Sequence, residues 1–228
     1  MQTFQPEAFV ADVGNTTISE PQGGARLPVS KIVFDKVFAA AALVLSLPVL
    51  VVIACAIALT FRGPVLFRHT RIGLNGKPFF CLKFRTMVPD ADARLQDLLN
   101  ADQAARQEWE QEHKLRHDPR VTPLGRFLRR SSLDELPQFW NVLRGDMSIV
   151  GPRPITRDEA PKYAEQFAVY SSVRPGITGV WQVSGRSDTG FPERVSMDVE
   201  YVQNWSLWRD VVLAWRTLSV IVSAVGAR

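Results

Sequence analysis

The feature that most constrains this chain is an uncharged apolar run near its N-terminus. From Val37 to Phe61 there are 25 residues without a charged side chain, between Lys36 and Arg62. A helix needs about 20 such residues to cross a bilayer. The run begins after a polar, acid-containing stretch, unlike the short apolar core of a cleaved signal peptide. We expect a membrane helix, with a buried helix of a soluble protein as the alternative.

Two features of this run argue against a straight crossing. Pro48 lies near its centre, two residues after Ser46, and a proline inside a helix removes a hydrogen bond and kinks or breaks it. Basic residues also flank both ends, and such flanks stay in the cytoplasm. The sequence therefore predicts a re-entrant helix that bends at Ser46 and Pro48, with a kinked spanning helix as the alternative. The basic residues are Arg26, Lys31 and Lys36 before the run, and Arg62, Arg68, Arg71 and Lys77 after it.

The remaining sequence is typical of a basic, mostly helical α+β fold. An Asn-Gly pair between apolar stretches, Asn75-Gly76, predicts a small β-hairpin. We expect a strand at residues 79–85, one or two exposed helices within 90–116, a helix from about Asp134 to Leu143, loops at 147–156 and 174–190, and helix from about Phe191 to the end. The predicted organisation is a mobile tail (1–30), a re-entrant membrane helix (31–62) and a cytosolic domain (63–228).

Charge and cysteine content limit the classes of partner and site. The net charge is +4, which favours anionic partners such as lipid headgroups, nucleic acid or phosphorylated small molecules. The arginines do not alternate with aromatic residues along one helix, so nucleic acid is not the expected partner. Two cysteines, Cys55 and Cys81, cannot form a disulfide framework and do not have the spacing of metal ligands.

An acidic pair is the strongest candidate for chemistry. Asp134 and Glu135 precede Pro137, which a helix tolerates only in its first turn. The pair is therefore expected at a helix N-terminus, where the dipole and the unpaired N–H groups favour ionised carboxylates and bound phosphates. An ionised aspartate can serve as a nucleophile or a metal ligand. The alternative is a capping box between Ser132 and Glu135.

Basic residues in constrained positions are candidates for phosphate binding. Lys83 and Arg85 alternate along the predicted strand and share one face, which suits a diphosphate. Arg153 lies between two prolines, which restrict the backbone around an arginine able to bind phosphate bidentately. Arg174 begins a glycine-containing loop. The alternatives are a solvated strand face, a rigid turn with an incidental arginine, and an ordinary loop.

The C-terminal part adds one acidic candidate and an aromatic helix. Asp198 and Tyr201 are three residues apart and share a helix face, although Asp198 could also be a simple surface acid. Trp205, Trp208 and Trp215 with neighbouring aliphatic residues suit an amphipathic helix at a membrane interface. Packing into the protein core is the alternative.

The order of these motifs carries a family resemblance. The segments KFRTM, DPRVTPLGRFLRRSSLDELPQFWNVLRGDMSIVGPRP, RPGITGVWQVSGR and DVEYVQNWSL follow the apolar run with its Ser-x-Pro centre. Together they resemble the bacterial sugar transferases, the monotopic phosphoglycosyl transferases that start exopolysaccharide, O-antigen and glycoprotein glycan assembly. The likeness covers about residues 31 to 226. The chain is similar to the short catalytic-core form, and most of all to rhizobial hexose-phosphate transferases.

The resemblance implies a reaction and a set of site residues. A UDP-sugar gives its sugar 1-phosphate to undecaprenyl phosphate, releasing UMP, through a covalent aspartyl intermediate with magnesium. Asp134 corresponds to the nucleophile and Glu135 to a metal or proton partner, so both are candidate Mg²⁺ ligands. The kink of the family corresponds to Ser46 and Pro48. The substrate-binding candidates are Lys83, Arg85, Arg153, Asp198 and Arg174.

The resemblance also implies a location and partners. It predicts a bacterial inner-membrane protein whose catalytic domain lies on the cytoplasmic face, in contact with inner-membrane lipid. UDP-galactose and UDP-glucose are the leading donors, and the sequence leaves open whether copies form a homo-oligomer. The alternative function is a membrane-anchored basic scaffold or binding protein without turnover, which would be indifferent to substitutions of Asp134 and Arg153.

Overall fold

The computed structural model describes residues 28–60, 63–112, 115, 117–184 and 190–223. The predicted tail therefore falls almost wholly outside the described residues, as do Arg26 and Arg62. The fold is a mostly helical α+β arrangement with a small antiparallel sheet and a long apolar first helix. The helices are α1 Val29–Thr60, α2 Ala91–Ala101, α3 Gln103–Glu112, α4 Pro123–Arg130, α5 Gln138–Arg144, α6 Phe167–Ser171, α7 Val180–Val183, α8 Phe191–Gln203 and α9 Leu207–Ser223. The strands are β1 Leu66–Ile72, β2 Pro78–Phe84, β3 Ser148–Val150 and β4 Gly176–Thr178.

The apolar run forms helix α1, which has 32 residues and is long and apolar enough to cross a membrane. Pro48 lies inside the helix, which continues through it as one element. The Ser46 hydroxyl donates to the Leu43 carbonyl at 3.5 Å. The middle of α1 is exposed, with Val44, Leu45 and Val52 among its exposed side chains. An exposed apolar surface of this kind is consistent with membrane association.

Both halves of α1 pack against the same domain. In the N-terminal half, Ala39 is buried in a cluster with Val142 and Val150. In the C-terminal half, Ile53 and Ile57 are buried with Phe84 and Leu128. The two packed regions are separated by the exposed stretch around Pro48, so the domain holds α1 at both ends.

A buried ionic cluster fixes the start of α1. Lys31 Nζ lies 3.1 Å from Asp35 Oδ1 and 2.7 Å from Asp210 Oδ2. The same ammonium donates to the Val150 carbonyl at 3.1 Å, and Asp35 accepts from the Ser148 hydroxyl at 2.8 Å. Because a buried charge needs compensating partners, this cluster joins α1, β3 and α9 at one point.

The predicted β-hairpin is confirmed. Strands β1 and β2 pair antiparallel, with Leu66 opposite Phe84 and Ile72 opposite Pro78. At the turn, Asn75 has φ 56° and Gly76 has φ 73°, the left-handed region that this dipeptide favours. The local sequence therefore fixes the register that carries Lys83 to the end of β2.

The segments predicted as loops at 147–156 and 174–190 contain more structure than expected. Strands β3 and β4 pair parallel, with Ser148 opposite Gly176, and α7 follows at once. The two strands approach very closely, since a Cβ atom on Gly176 would lie 2.1 Å from the Gly151 nitrogen. The glycines therefore permit close contact between two backbones.

The C-terminal helical region is divided into α8 and α9. Trp205, between them, donates its indole N–H to Asp210 at 3.1 Å and packs against the core. Trp208 and Trp215 on α9 are exposed. Core packing thus applies to one tryptophan, while the other two lie on the outer surface of α9.

Candidate active site

A cavity of about 650 Å³ lies between β2, the acidic pair, the segment after β3, and helices α7 and α9. It brings together most of the sequence-predicted site residues. Neither Asp198 nor Arg174 is among its described lining residues. Charged side chains of the described part of the chain that line it are Arg71, Lys83, Arg85, Arg129, Arg153, Asp92, Asp134 and Glu135. The basic groups outnumber the acidic ones, so the cavity suits an anion.

The acidic pair lies on a tight turn just before helix α5. Leu133–Glu135 forms a single 3₁₀ turn, and the α-helix begins only at Gln138. The capping-box alternative is wrong, because Ser132 has a left-handed φ of 56° and its side chain makes no capping hydrogen bond. The expected helix end at Gly145 is confirmed by its φ of 89°. Left-handed backbone is uncommon for serine, and it turns the pair into the cavity.

Asn141 holds this turn against the hairpin, and the sequence alone gave no sign of it. Its side-chain oxygen accepts from the Leu82 N–H at 3.0 Å, and its amide donates to the Phe80 carbonyl at 2.8 Å. Asn141 is buried, and both bonds are partly buried. Helix α5 is thereby attached to β2, which places the acidic pair opposite Lys83.

Asp134 is a buried carboxylate among cations. It is 7% exposed. Burial, opposed by Lys83 and Arg129 and reinforced by Glu135, raises the pKa of Asp134 to about 6. At neutral pH the carboxylate is therefore mainly ionised, which is the form that a nucleophile or a metal ligand requires.

Glu135 forms an ion pair with Lys83. The Lys83 ammonium lies 2.6 Å from Glu135 Oε1, and both side chains are partly exposed to the cavity. The contact fixes the acidic pair relative to the end of β2 and places a positive charge beside Asp134.

Arg129 was not singled out from the sequence. Its Nε donates to the Thr86 hydroxyl at 2.9 Å, and both residues line the cavity. Burial lowers the pKa of Arg129, and the Asp134 charge opposes this. In the sequence, Arg129 lies on a basic helix five residues before Asp134. Because other arginines lie on the same helix, the sequence alone gave no reason to select Arg129 as a site residue.

His69 and Arg71 of β1 also line the cavity and were missed as site residues. Arg71 Nη2 lies 3.2 Å from His69 Nδ1, and Arg71 pairs with Glu159 at 3.4 Å. Burial lowers the pKa of His69, as do Arg71 and Lys83. The histidine is therefore neutral at neutral pH. In that form its Nδ1 accepts from Arg71 and its other ring nitrogen carries the proton.

Arg153 is held from several sides. Its guanidinium lies 5.2 Å from the centre of the Trp181 ring, within cation–π range. The Tyr170 hydroxyl donates to the Arg153 carbonyl at 3.1 Å, and the Arg153 backbone lies near enough to the Asp198 carboxylate to lower its pKa. Such support preorganises an arginine for an anionic ligand.

Asp198 lies in a buried position outside the cavity lining. It is 2% exposed, so the surface-acid alternative is wrong. It accepts from the Tyr163 hydroxyl at 2.6 Å and lies 4.0 Å from Arg194 Nε. Burial raises the pKa of Asp198 to about 6 against the opposing effects of Tyr163, Arg194 and Arg153. Its contacts are those of a group that positions Arg153.

The other predicted positions lie away from the cavity. Arg174 is close to the end of α5, with Nη2 3.9 Å from the point where a Cβ atom on Gly145 would lie. Ser46 and Pro48 lie in the exposed middle of α1.

Comparison with known proteins identifies the family. A sequence model described as "Bacterial sugar transferase" matches residues 27–224. The chain belongs to the bacterial sugar transferase family. A relative in Sinorhizobium fredii, exopolysaccharide production protein ExoY, is 44% identical over 207 residues, which cover 91% of this chain and 90% of that protein.

Two further members of the bacterial sugar transferase family are longer than this chain. The UDP-galactose-lipid carrier transferase of Erwinia amylovora is 45% identical over 194 residues, covering 85% of this chain and 40% of that protein. The UDP-glucose:undecaprenyl-phosphate glucose-1-phosphate transferase of Caulobacter vibrioides is 43% identical over 205 residues, covering 86% of this chain and 71% of that protein. The chain thus spans less than half the length of some curated relatives.

The residues of the acidic pair fit a magnesium ion. Within the described ranges there is no group of three or more His, Cys, Asp or Glu side chains suited to a metal. Magnesium bound together with phosphates needs only one or two carboxylates, and waters and substrate oxygens supply the other ligands. Asp134 and Glu135 line one cavity beside several cations, so their chemistry matches such a site.

Proposed function

We propose that this chain transfers a hexose 1-phosphate from a UDP-sugar to undecaprenyl phosphate, releasing UMP, as the first membrane step of exopolysaccharide synthesis. The observation that carries the proposal is the position of Asp134. This buried, ionised carboxylate lies among basic side chains in a cavity that also reaches Phe38 of the apolar helix α1. A lipid acceptor and a nucleotide donor require such a combination. The names of the relatives support the same reaction class.

In the first half-reaction, Asp134 attacks the sugar-linked phosphorus of the donor. A carboxylate oxygen forms the new P–O bond, the bond to the UMP oxygen breaks, and UMP leaves with that electron pair. The cations near the diphosphate offset the charge on the equatorial and leaving oxygens, which is the main contribution of protein groups to phosphoryl transfer. Lys83, Arg129 and Arg153 line the cavity in suitable positions.

In the second half-reaction, a phosphate oxygen of the lipid attacks the same phosphorus. The bond to Asp134 breaks, the carboxylate is regenerated, and the product is undecaprenyl diphosphate-sugar. Glu135, held by Lys83 at 2.6 Å, keeps the acidic pair in a fixed orientation through both steps. Asp198 acts through Arg153, whose backbone lies near its carboxylate.

Asp134 and Glu135 would hold Mg²⁺. When bound, the ion supplies charge neutralisation at the phosphoryl oxygens. The chain's own cations then orient the two phosphates of the donor.

We also propose that α1 is re-entrant in the inner membrane, with the domain on the cytoplasmic face. Both halves of α1 pack against that domain, although its 32 residues correspond to about 48 Å of helix. A straight crossing would carry one packed end out of reach of the cytoplasmic side. The exposed centre near Pro48 is where a bend would enter the lipid.

Impermeant thiol labelling of intact spheroplasts tests this topology. Single cysteines would replace Ser30 and Thr60 at the two ends of α1, in a background in which both native cysteines, Cys55 and Cys81, are changed to alanine. A re-entrant helix leaves both unlabelled until the membrane is opened. Labelling of one end in intact spheroplasts would establish a spanning helix.

The reaction is tested with purified protein, undecaprenyl phosphate, magnesium and a panel of UDP-sugars that includes UDP-galactose and UDP-glucose. Asp134→Asn should abolish UMP release, whereas Asp97→Asn on the exposed surface of α2 should not. Without acceptor, mass spectrometry should find a phosphosugar on Asp134. Full activity of Asp134→Asn would refute the proposal, and continuous turnover without lipid would indicate a diphosphate hydrolase.

A further inference from the structure

The cavity has two chemically different parts to its lining. One part consists of the acidic pair and the basic side chains. Another consists of apolar side chains from four separate elements, α1, α5, β4 and α9. These are Phe38, Phe139, Ile177, Ala214 and Leu218. A hexose and a uridine diphosphate are polar over most of their surface, so the donor leaves this apolar wall unexplained.

The apolar part of the cavity lining continues onto exposed apolar side chains of α1 and α9. Phe38 is partly exposed on α1, and Leu218 is 53% exposed on α9. Their neighbours Val37 and Trp215 are exposed as well, with Trp215 at 72%. Exposed apolar surface continuous with a cavity marks an interaction site for an apolar partner.

Hydrogen bonds fix the walls of this passage relative to one another. The Thr178 and Thr217 hydroxyls, which both line the cavity, lie 2.6 Å apart and join β4 to α9. Thr217 also donates to the Leu213 carbonyl at 2.8 Å. On the other side, Lys36 of α1 donates to the Leu143 carbonyl of α5. Helix α9 is therefore held by β4, and helix α1 is held by α5.

We propose that the isoprenoid chain of the acceptor enters between α1 and α9, past Phe38 and Leu218, and lies against Ala214 with its phosphate directed to Asp134. This inference rests on the proposed function and adds the path of the acceptor. Hydrocarbon next to a phosphate matches the change from apolar to basic lining along the cavity. The donor enters from the polar side, so both substrates reach Asp134 without sharing a route.

The test places bulk in the passage and measures the two half-reactions separately. Ala214→Trp narrows the passage, and Ser219→Trp adds the same side chain to an exposed position of α9 that does not line the cavity. The UMP burst without acceptor reports the donor step. Steady-state kcat/KM for undecaprenyl phosphate, in detergent–lipid mixed micelles, reports the acceptor step.

Ala214→Trp should lower kcat/KM for undecaprenyl phosphate by about tenfold or more, which corresponds to 1.4 kcal/mol or more, and should change the UMP burst much less. Ser219→Trp should resemble the wild type in both. Equal losses of kcat/KM in the two variants, or an acceptor step unaffected by Ala214→Trp, would refute the proposed path of the acceptor. If the wild type showed no UMP burst, the proposed function itself would fail.

A second variant covers the case in which tryptophan at position 214 prevents folding. Leu218 is half exposed, so Leu218→Asp is expected to fold while placing a charge at the mouth of the passage. It should weaken use of undecaprenyl phosphate more than use of geranyl phosphate, whose shorter chain extends less far beyond the mouth. An equal effect on both acceptors would contradict a path past Leu218.

Discussion

Replacing Lys31 by methionine should destabilise the protein more than any exposed lysine substitution. Lys31 is 2% exposed, and its ammonium compensates two buried carboxylates, Asp35 at 3.1 Å and Asp210 at 2.7 Å. Methionine keeps most of the volume and removes the charge. The carboxylates then share one buried site without a cation, although each keeps neutral donors, such as Ser148 for Asp35 and Tyr201 for Asp210.

The size of the expected destabilisation follows from the burial of the Lys31 ion pairs. Removing one partner of a buried ion pair costs about 3–5 kcal/mol, because an uncompensated charge remains in a poorly solvated site. For a domain of 150–250 residues, 1 kcal/mol shifts Tm by roughly 2–4 °C. The loss of Lys31 is thus expected to lower Tm by about 10 °C, a shift that standard thermal denaturation in detergent resolves easily.

Thermal unfolding of the purified full chain is the assay, with Lys77→Met on the exposed hairpin turn as the matched control. Adding Asp210→Asn to Lys31→Met should recover part of the loss, because one of the two buried charges is removed. A Tm within about 2 °C of the wild type for Lys31→Met would refute the reasoning, since a shift that small corresponds to 1 kcal/mol or less.

Three further predictions concern the site. Tyr163→Phe removes the donor to Asp198 at 2.6 Å. It should lower the unfolding free energy by about 1–3 kcal/mol, and it should reduce kcat for UMP release because Asp198 acts through Arg153. An unchanged kcat would exclude this action of Asp198. Asn141→Leu leaves the Leu82 N–H and the Phe80 carbonyl without their partner, and chemical denaturation should show a loss of about 1–3 kcal/mol in unfolding free energy, because both groups are only partly buried. Treatment with EDTA should stop UMP release and excess Mg²⁺ should restore it, whereas activity that persists after exhaustive chelation would argue against a metal at Asp134.

Local patterns predicted the elements that depend on neighbouring residues. The β-hairpin follows from Asn75-Gly76, whose left-handed turn is encoded by two adjacent residues. The end of α5 follows from Gly145 in the same way. The strands β3 and β4 have three residues each and pair across a separation of 28 positions. Their pairing depends on contacts between Gly151 and Gly176 that no periodicity reveals.

The candidate site likewise combines residues that local motifs reveal with residues that only distant contacts bring together. The acidic pair and Lys83 lie in motifs whose combination carried the family resemblance. The support of Asp198 comes from Tyr163, 35 residues earlier in the chain, and that of the acidic pair comes from Asn141, which bonds to a strand about 60 residues away. Since a single sequence does not show which distant residues meet, Asp198 could be recognised as polar but not as a support for Arg153.

Helix α1 and the segment that carries Arg153 share one support. The Val150 carbonyl accepts from Lys31 Nζ at 3.1 Å and lies 3.0 Å from the oxygen of Tyr201, whose hydroxyl donates to Asp210. Val150 ends β3 and lies three residues before Arg153. The residues that fix the start of α1 therefore also fix the backbone leading to Arg153. Under the proposed function, a shift of α1 in the bilayer would shift Arg153 with it, so the distance between the lipid phosphate and the acidic pair is determined by this packing and not by the loop that carries the arginine.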